Sequence, residues 1–287
     1  MKDHNPARAL AHVVMTAADA ELIKSGEERK YSHRVSGVGR CMREAVLHGM
    51  EVPQSNPPKP EWGTQITFNQ GHDAEDRVLE YLRGSGITIA CEQMTVESTT
   101  PMGIKIPGHI DGIMIIPDGM PMGGYWYLFD VKTISNYGYR MVVEKDKASE
   151  NHRRQLGIYK HAVVNDDRFE ECKGQKVEDL TFNGVQFGGL LVLYHPKERP
   201  VVGWGDKKEE LDRLHFVAFD VDMTDAEMYL DFFDEIQLHL DDNRLPPIPD
   251  AGDEMVWGGY DTKAKKYKAR RCNSRWCTRY TVCKQNA

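Results

Sequence analysis

The segment at 104–132 reads IKIPGHIDGIMIIPDGMPMGGYWYLFDVK. Two apolar runs rich in β-branched and aromatic residues, Ile104–Ile116 and Tyr125–Val131, flank a turn rich in proline and glycine at 117–124. Such a pattern predicts a β-hairpin with a long loop. The other predicted elements are arranged around this hairpin.

Three charged side chains interrupt the hairpin: Asp111 in the first predicted strand, and Asp130 and Lys132 at the end of the second. Residues i and i+2 of a strand share a face, so Asp130 and Lys132 point the same way. Pairing about the loop would bring Asp111 near Asp130, and two adjacent carboxylates favour a hard cation such as Mg²⁺ or Mn²⁺. The alternative is a structural salt bridge between Lys132 and Asp130.

Length and composition limit the possible classes of protein. The chain of 287 residues is long enough for one large domain or two small ones, and its formal net charge of −7 does not favour nucleic acid unless basic residues are concentrated locally. It has no apolar run of membrane-spanning length, and its N-terminus, MKDHNPARAL, lacks the apolar core of a secretory signal, so we expect a cytoplasmic protein. In that compartment the six cysteines are expected to be free, catalytic or metal-bound.

The order of predicted elements indicates the fold class. Helices are predicted over 7–25 and within 31–51, where the helix starts at about Val38. Further helices are predicted over about 67–84, 147–165 and 224–240, with Thr224 as the N-cap of the last. Strands are predicted at about 88–97, in the hairpin, and at 187–195 and 214–222, with a solvated turn or edge at 205–213. This order predicts an α/β fold with a mixed central sheet and helices packed on its faces.

Two pairs of helical residues have the spacing of a shared face. His72 and Glu75 lie three apart, and a neutral His72 imidazole could supply a further metal ligand; the alternative is an ordinary surface histidine. Gln155 and Tyr159 lie four apart and could hydrogen-bond a phosphate or a water; the alternative is plain helix surface. The basic residues at 152–154 would attract phosphate in either case.

Cysteines are concentrated near the C-terminus. Cys272, Cys277 and Cys283 fall within twelve residues of a basic tail that has no predicted regular structure. Both a tetrahedral Zn²⁺ site and an iron–sulfur cluster require four ligands. Cys41 is the best fourth ligand, because Cys91 falls in a predicted strand and Cys172 in a polar loop. Such a site would join the two ends of the chain and stabilise the fold.

The same tail is strongly basic. Residues 263–284 carry nine lysines and arginines and no acid, interleaved with Tyr267, Trp276 and Tyr280. A basic segment with stacking aromatics fits a surface for single-stranded nucleic acid, whereas the alternative is a solvated tail.

Taken together, these motifs resemble the RecB-type branch of the PD-(D/E)xK nucleases. The resemblance rests on motifs in the same order along the chain: Gly71-His72, Gly108-His109-Ile110-Asp111-Gly112, Asp130-Val131-Lys132-Thr133 and Gln155-x-x-x-Tyr159. Cys41-Met42-Arg43 and the C-terminal cysteines narrow it to the iron–sulfur nucleases of that branch, which include CRISPR-associated four-cysteine exonucleases, the AddB nuclease domain and phage-encoded relatives.

The resemblance implies a role for each matching residue. His72, Asp111, Asp130 and the Val131 carbonyl would bind Mg²⁺ or Mn²⁺, and Lys132 would hold the attacking water. Gln155 and Tyr159 would shape the site and orient DNA. A 4Fe–4S cluster would be bound by the four cysteines Cys41, Cys272, Cys277 and Cys283. Zn²⁺ is the alternative, because four residues separate the first two cysteines of the C-terminal triplet, where relatives usually have two.

The resemblance also implies an organisation and an activity. We expect an N-terminal helical region at 1–62, a restriction-endonuclease-like core at 63–245, and a segment at 246–287 that closes a cysteine-bound lobe. The expected activity is metal-dependent exonuclease cleavage of DNA. Recombination or CRISPR adaptation proteins are the expected partners, and the host cytoplasm is the expected location if the chain is phage-encoded. The alternatives are a catalytically silent DNA-binding or assembly protein with this fold, and a zinc-stabilised binding module.

Overall fold

The computed structural model describes residues 31–53, 62–172, 180–197, 201–202, 209–247, 257–261, 266–269 and 283. The chain divides into two compact units. The smaller unit takes in residues 1–32, 41–70 and 243–287, and the larger takes in residues 33–40 and 71–242. The predicted boundaries at 62 and 245 stay a prediction.

The helices are α1 (Met42–Gly49), α2 (Trp62–Gly84), α3 (Asn136–Lys145), α4 (Glu150–Asn165) and α5 (Met223–Asp241), with 3₁₀ turns at Val35–Gly37 and Asp167–Cys172. The strands are β1 (Thr88–Ala90), β2 (Met94–Thr99), β3 (Lys105–Ile110), β4 (Gly112–Ile116), β5 (Tyr125–Ile134), β6 (Thr181–Phe182), β7 (Val185–Pro196), β8 (Val201–Val202), β9 (Glu209–Glu210), β10 (His215–Phe219), β11 (Trp257–Asp261) and β12 (Lys266–Ala269).

A mixed sheet forms the centre of the larger unit. Its strand order is β1-β4-β5-β7-β10, with β6 paired to the start of β7. The β5–β7 pair is parallel, and the remaining pairs are antiparallel. Strands β2 and β3 pair in a separate two-stranded sheet. The predicted α/β fold with a mixed central sheet flanked by helices is therefore confirmed.

Strand β5 contributes to an apolar cluster on each face of the sheet. Trp126 and Leu128 belong to the cluster that contains Leu156 and Tyr159 of α4. Tyr127, Phe129 and Val131 belong to the cluster that contains Val78 and Leu79 of α2. This alternation is the period of two expected of a strand covered on both faces. Helices thus hold β5 from both sides and fix the direction of its side chains.

Several predicted boundaries are wrong, and each has a local cause. The first hairpin strand divides into β3 and β4 at Asp111, and the strand predicted at 88–97 divides into β1 and β2. In the second case Cys91 and Gln93 adopt positive φ angles of 53° and 51°, so Cys91 lies in a turn and not in a strand. A turn of this kind ends one strand before the next begins.

The helix predictions need similar corrections. Helix α1 begins at Met42, so Cys41 is its N-cap residue and does not lie in its first turns. Helix α3 was not predicted and precedes α4, which starts at Glu150. Helix α5 begins at Met223 after Asp222, so Thr224 is not its N-cap. The helix predicted at 7–25 lies outside the described residues.

The C-terminal tail contains regular structure that the sequence pattern did not indicate. Strands β11 and β12 pair antiparallel within the segment at 257–269. Strands β8 and β9 also pair; β9 falls within the segment 205–213 that was predicted as a solvated turn or edge, and β8 precedes that segment. Among the described helices, none has the length and apolar character needed to cross a membrane.

A buried carboxylate ties α5 to the β2–β3 turn. Asp234 is 6% exposed and accepts hydrogen bonds from the Thr100 hydroxyl and, at 3.1 Å, from the Met102 amide. The Thr100 hydroxyl oxygen in turn accepts from the Ile104 amide at 3.1 Å. The turn thus depends on one side chain from a distant helix.

We expect Asp234→Ala to lower the free energy of unfolding by about 2 kcal/mol, because it leaves buried donors without an acceptor. Urea denaturation followed by circular dichroism would measure the change. Asp231→Ala, at an exposed position of the same helix, is the matched control and should differ from the wild type by about 0.5 kcal/mol or less. Equal midpoints for the two variants would contradict this role for Asp234.

Candidate active site

Asp111 lies where the chain leaves the two-stranded sheet and enters the central one. The β4–β5 ladder ends where Phe129 pairs with Gly112, the first residue of β4, so Val131 lies beyond the ladder. The Asp111 carboxylate satisfies the backbone there as a neighbouring strand would, because its Oδ2 atom accepts a hydrogen bond from the Val131 amide at 2.7 Å. The N–H and C=O of an extended residue point to the same side, so the Val131 carbonyl is directed toward the same edge.

Two glycines explain why the chain can break at this point. A Cβ on Gly108 would lie 2.5 Å from Cε1 of Tyr159, and a Cβ on Gly112 would lie 2.9 Å from Cε1 of Phe129. Both contacts are shorter than real side chains allow. The glycines that flank Asp111 therefore make room for α4 on one side and for β5 on the other.

Asp130 and Lys132 share the face of β5 that α4 covers. Lys132 Nζ lies 2.6 Å from Asp130 Oδ2, and the two side chains are 25% and 2% exposed. The geometry is that of an ion pair without hydrogen-bond alignment, so Asp130 Oδ2 is buried with no hydrogen-bond partner among the described residues. Burial acts to lower the pKa of Lys132, but Asp130 and Asp111 outweigh it and raise that pKa. Lys132 is therefore a cation at neutral pH.

Gln155 and Tyr159 form the single patch that their spacing predicts. Gln155 Nε2 donates to the Tyr159 hydroxyl at 3.1 Å and reaches Asp130 Oδ1 at 3.5 Å. Burial raises the pKa of Tyr159 to about 12, so its hydroxyl remains protonated. The structure thus brings the α4 pair against the β5 acid.

Glu75 is a third carboxylate of this site that the sequence analysis did not select. Burial raises its pKa, His72 acts to lower it, and Asp130 raises it further, which puts Glu75 within electrostatic range of the β5 acid. Gln93, at the turn before β2, donates from Nε2 to Glu75 Oε1 at 2.5 Å. The signal was present in the helical pattern, because Glu75 precedes the buried residues Val78 and Leu79 by three and four positions.

His72 stays a predicted metal ligand. Its side chain is exposed on α2, and it acts electrostatically on Glu75. No three His, Cys, Asp or Glu side chains of the described residues are placed together as they would be around a bound metal ion. Glu75, and not His72, is the α2 side chain that raises the pKa of Asp111.

A second hydrogen-bonded pair flanks Lys132 on the β7 side. Tyr194 is opposite Lys132 in the parallel register, and its hydroxyl lies 2.8 Å from Nδ1 of His152. The Ser149 amide also donates to this hydroxyl at 3.2 Å. Burial and then Lys132 lower the pKa of His152 to about 4, against a smaller opposing effect of Asp130. His152 is therefore neutral at pH 7 and adds no positive charge to the site.

The site consequently holds more carboxyl groups than cations. Asp111 shows the effect most strongly: burial, then Asp130, then Glu75 raise its pKa to about 8. Lys132 and the Val131 amide act in the opposite direction. The Asp111 carboxyl group is therefore protonated at neutral pH in the metal-free protein.

The smaller unit holds the described cysteines Cys41 and Cys283. Arg43, which is 3% exposed, donates to the Pro246 carbonyl and, at 3.4 Å, to the Cys283 carbonyl. One buried guanidinium therefore ties the helix that follows Cys41 to the backbone at Cys283. Cys272 and Cys277 lie outside the described residues.

The larger unit is thus a mixed α/β structure with a carboxylate–lysine site at the ends of its two parallel strands. No family model and no curated protein matches the chain. Among solved structures, it is similar to an alkaline exonuclease (LHK-Exo) from Laribacter hongkongensis, with a TM-score of 0.42 and 12% identity over 75% of this chain and 92% of that one. It is also similar to the protein SSO0001, with a TM-score of 0.37 and 13% identity over 80% and 86% of the two chains.

The raised pKa of Asp111 predicts how the stability of the metal-free protein depends on pH. The unfolded chain releases this proton near the ordinary value of 3.8, whereas the folded protein keeps it up to about 8. The folded state binds more protons between these values, so the free energy of unfolding should fall as the pH rises through this window. Asp111→Asn keeps an acceptor for the Val131 amide and should make that slope shallower, and Glu75, whose pKa burial also raises, accounts for the remainder.

At the upper end of the window, we expect Asp111→Asn to be more stable than the wild type by about 1–2 kcal/mol. Urea denaturation at a series of pH values in the presence of a chelator would measure it. Asp73→Asn, at an exposed position of α2, is the matched control and should retain the wild-type slope. A slope in Asp111→Asn as steep as that of the wild type would show that Asp111 is not the group responsible.

Proposed function

We propose that this chain is a metal-dependent nuclease that hydrolyses DNA phosphodiester bonds at free ends or in single strands. The observation that carries the proposal is the Asp130–Lys132 ion pair beside Asp111, at the carboxyl end of β5, with more carboxylates than cations. Ligands of open α/β sheets bind at the carboxyl ends of parallel strands, and β5 and β7 form the parallel pair here. A structural salt bridge alone would not need a second and a third carboxylate.

The residues at this site fit a hard divalent cation. Asp111, Asp130 and the Val131 carbonyl would hold Mg²⁺ or Mn²⁺, with Glu75 or the predicted His72 contributed by α2. Carboxylate and carbonyl oxygens are the ligands these ions prefer, and the buried Asp130 carboxylate has the Lys132 ammonium 2.6 Å from its Oδ2 atom. Side chains must adjust on binding, because the described residues do not form a preassembled cluster. When bound, the ion would polarise a phosphate oxygen and acidify a water molecule.

The reacting water, the phosphate and the DNA backbone would be positioned by three further side chains: Lys132, Gln155 and Tyr159. The Lys132 ammonium donates hydrogen bonds to the attacking water and to a phosphate oxygen on which charge develops. Gln155 holds the Asp130 carboxylate, and the Tyr159 hydroxyl remains a donor for the DNA backbone. The water oxygen would form a bond to phosphorus and give up a proton to the solvent, while the bond from phosphorus to one sugar oxygen breaks and that oxygen takes up a proton from the solvent.

We further propose that Cys41, Cys272, Cys277 and Cys283 bind a 4Fe–4S cluster, with Zn²⁺ as the alternative. Thiolates suit either group. The Arg43 contact supports the proposal, because it ties the backbone at Cys283 to the helix that begins after Cys41. The role is to stabilise the smaller unit and not to carry electrons.

The proposed nuclease function requires DNA as the partner. Recombination or CRISPR adaptation proteins are further candidates that rest on the sequence resemblance alone. A catalytically silent DNA-binding or assembly protein would have the same partner without needing Lys132.

The nuclease proposal predicts that Lys132→Ala lowers the rate of DNA cleavage at least about 100-fold, because a preorganised donor to the reacting phosphate is lost. End-labelled single- and double-stranded DNA would be incubated with Mg²⁺ or Mn²⁺, and the products resolved by length. Lys105→Ala is the matched control, since that lysine is 72% exposed and paired with Glu97; it should cleave like the wild type.

If Lys132→Ala cleaves as fast as the wild type, the assignment of the site is wrong. If the wild type binds DNA and does not cleave it, the protein is a binding or assembly protein.

The cluster proposal predicts that Cys277→Ser and Cys283→Ser lose bound iron and unfold at a lower temperature than the wild type. Metal analysis, visible absorption and thermal denaturation would measure this. Cys91→Ser, in the turn before β2, is the matched control and should keep full iron content. Zinc in place of iron would select the alternative, and unchanged metal content in Cys277→Ser would exclude this ligand set.

A further inference from the structure

A buried tyrosine stands beside Lys132 on the face of the sheet that α4 covers. Tyr194 of β7 is opposite Lys132 of β5 in the parallel register, so the two side chains point to the same face. Tyr194 belongs to the apolar cluster that contains Leu156 of α4, whereas its neighbour Leu193 belongs to the cluster on the other face. Packing and register therefore agree on where the Tyr194 side chain lies.

His152 reaches this tyrosine from the first turn of α4. It precedes Gln155 by three residues and Tyr159 by seven, a spacing that puts all three side chains on one side of the helix. Gln155 reaches Asp130 Oδ1 at 3.5 Å. The Nδ1 atom of His152 lies 2.8 Å from the Tyr194 hydroxyl oxygen. Direct contacts thus place the imidazole next to the carboxylate–lysine site.

The Tyr194 hydroxyl determines which ring nitrogen of His152 carries the hydrogen. Tyr194 is 0% exposed, and its hydroxyl oxygen accepts a hydrogen bond from the Ser149 amide at 3.2 Å. A buried hydroxyl also needs an acceptor for its own hydrogen, and among the described residues the acceptor at this hydroxyl is Nδ1 of His152. A neutral imidazole that accepts at Nδ1 carries its hydrogen on Nε2.

The charge state of the ring agrees with this assignment. Burial and then the Lys132 ammonium group lower the pKa of His152 to about 4, so the ring is neutral at pH 7. The His152 side chain is half-buried, and within the described part of the chain its Nε2 atom has no hydrogen-bond partner. A neutral N–H donor is thus held in one orientation beside an ammonium group and is available to a ligand.

We propose that His152 is a phosphate-binding residue of the nuclease site, and that Tyr194 is the positioning residue that keeps its hydrogen on Nε2. The ligand in this inference rests on the proposed nuclease function. The Nε2–H group would donate to a nonbridging oxygen of the DNA backbone beside the phosphate that Lys132 contacts. Because this donor is neutral, it would bind the backbone without repelling a divalent cation held by Asp111 and Asp130, as a second ammonium or guanidinium group would.

The first test measures the tautomer and needs no DNA. Two-bond ¹H–¹⁵N NMR spectra of the ¹⁵N-histidine-labelled protein, recorded at pH 7 without divalent cations, report which ring nitrogen carries the hydrogen. We expect the Nε2–H tautomer alone for His152 in the wild type and a mixture of both tautomers in Tyr194→Phe, which removes the hydroxyl and keeps the ring. The spectrum of His152→Gln identifies the signal. A wild-type Nδ1–H tautomer, or an unchanged signal in Tyr194→Phe, would overturn the role of Tyr194.

The second test is equilibrium binding of a fluorescent single-stranded oligonucleotide, measured by anisotropy in a chelator at several salt concentrations. His152→Ala should raise Kd about tenfold, the effect of one lost hydrogen bond to a charged oxygen. The dependence of log Kd on log salt should stay that of the wild type, because a neutral donor releases no counterion. His152→Gln places an amide N–H near the position of Nε2 and should recover most of the affinity.

His161→Ala is the matched control. His161 lies nine residues after His152, on the opposite side of α4, and its Nδ1 atom lies 3.2 Å from the Ser98 hydroxyl oxygen. The two histidines share a helix and a hydroxyl partner, but His161 faces β2 and not the site. It should bind the oligonucleotide like the wild type, and urea denaturation of each variant would reveal a general loss of fold.

Equal Kd values for His152→Ala and His161→Ala would overturn the phosphate contact. A shallower salt slope in His152→Ala would overturn it as well, because that would show that the lost group was a cation. The two proposals fail separately. Weaker binding by His152→Ala, with a wild type that binds DNA and does not cleave it, would support the contact and overturn the nuclease. Cleavage that depends on Lys132, with binding that is insensitive to His152, would support the nuclease and overturn the contact.

Discussion

The interaction on which the site depends is the ion pair between Lys132 and Asp130 in a strand covered by helices on both faces. Removing an ion from water costs several kcal/mol even after relaxation, so a buried carboxylate requires a partner. Lys132 supplies that partner at 2.6 Å. One ammonium group cannot also neutralise Asp111 and Glu75; burial, and then the Asp130 and Glu75 carboxylates, raise the pKa of Asp111 to about 8. The protein therefore keeps an unfavourable arrangement of charge at this position, which is characteristic of sites retained for function.

The backbone around Asp111 makes this arrangement possible. Were β3 and β4 one continuous strand, Asp111 would sit in a ladder and its carboxylate could not accept from the Val131 amide. The break moves Asp111 off the ladder and into the position of a missing strand partner. Gly108 and Gly112 permit the break, because any side chain there would collide with Tyr159 or Phe129. The sequence Gly-His-Ile-Asp-Gly is thus explained by packing as well as by chemistry.

The parts of the site that could be predicted are those set by local periodicity. The shared face of Asp130 and Lys132 follows from the strand period, and the contact of Gln155 with Tyr159 follows from the helix period. The break at Asp111 could not be predicted, because it depends on which strand pairs with which. That Glu75 acts on Asp111 while His72 is exposed depends on how α2 is rotated against the sheet. The division of 88–97 into two strands depends on positive φ angles that Cys91 and Gln93 rarely adopt.

The formal net charge of −7 must be reconciled with the polyanionic substrate of the proposed function. Asp111, Asp130 and Glu75, once ionised, would repel a phosphate unless a cation intervenes, so under that proposal metal binding and DNA binding at Asp130 are coupled through charge.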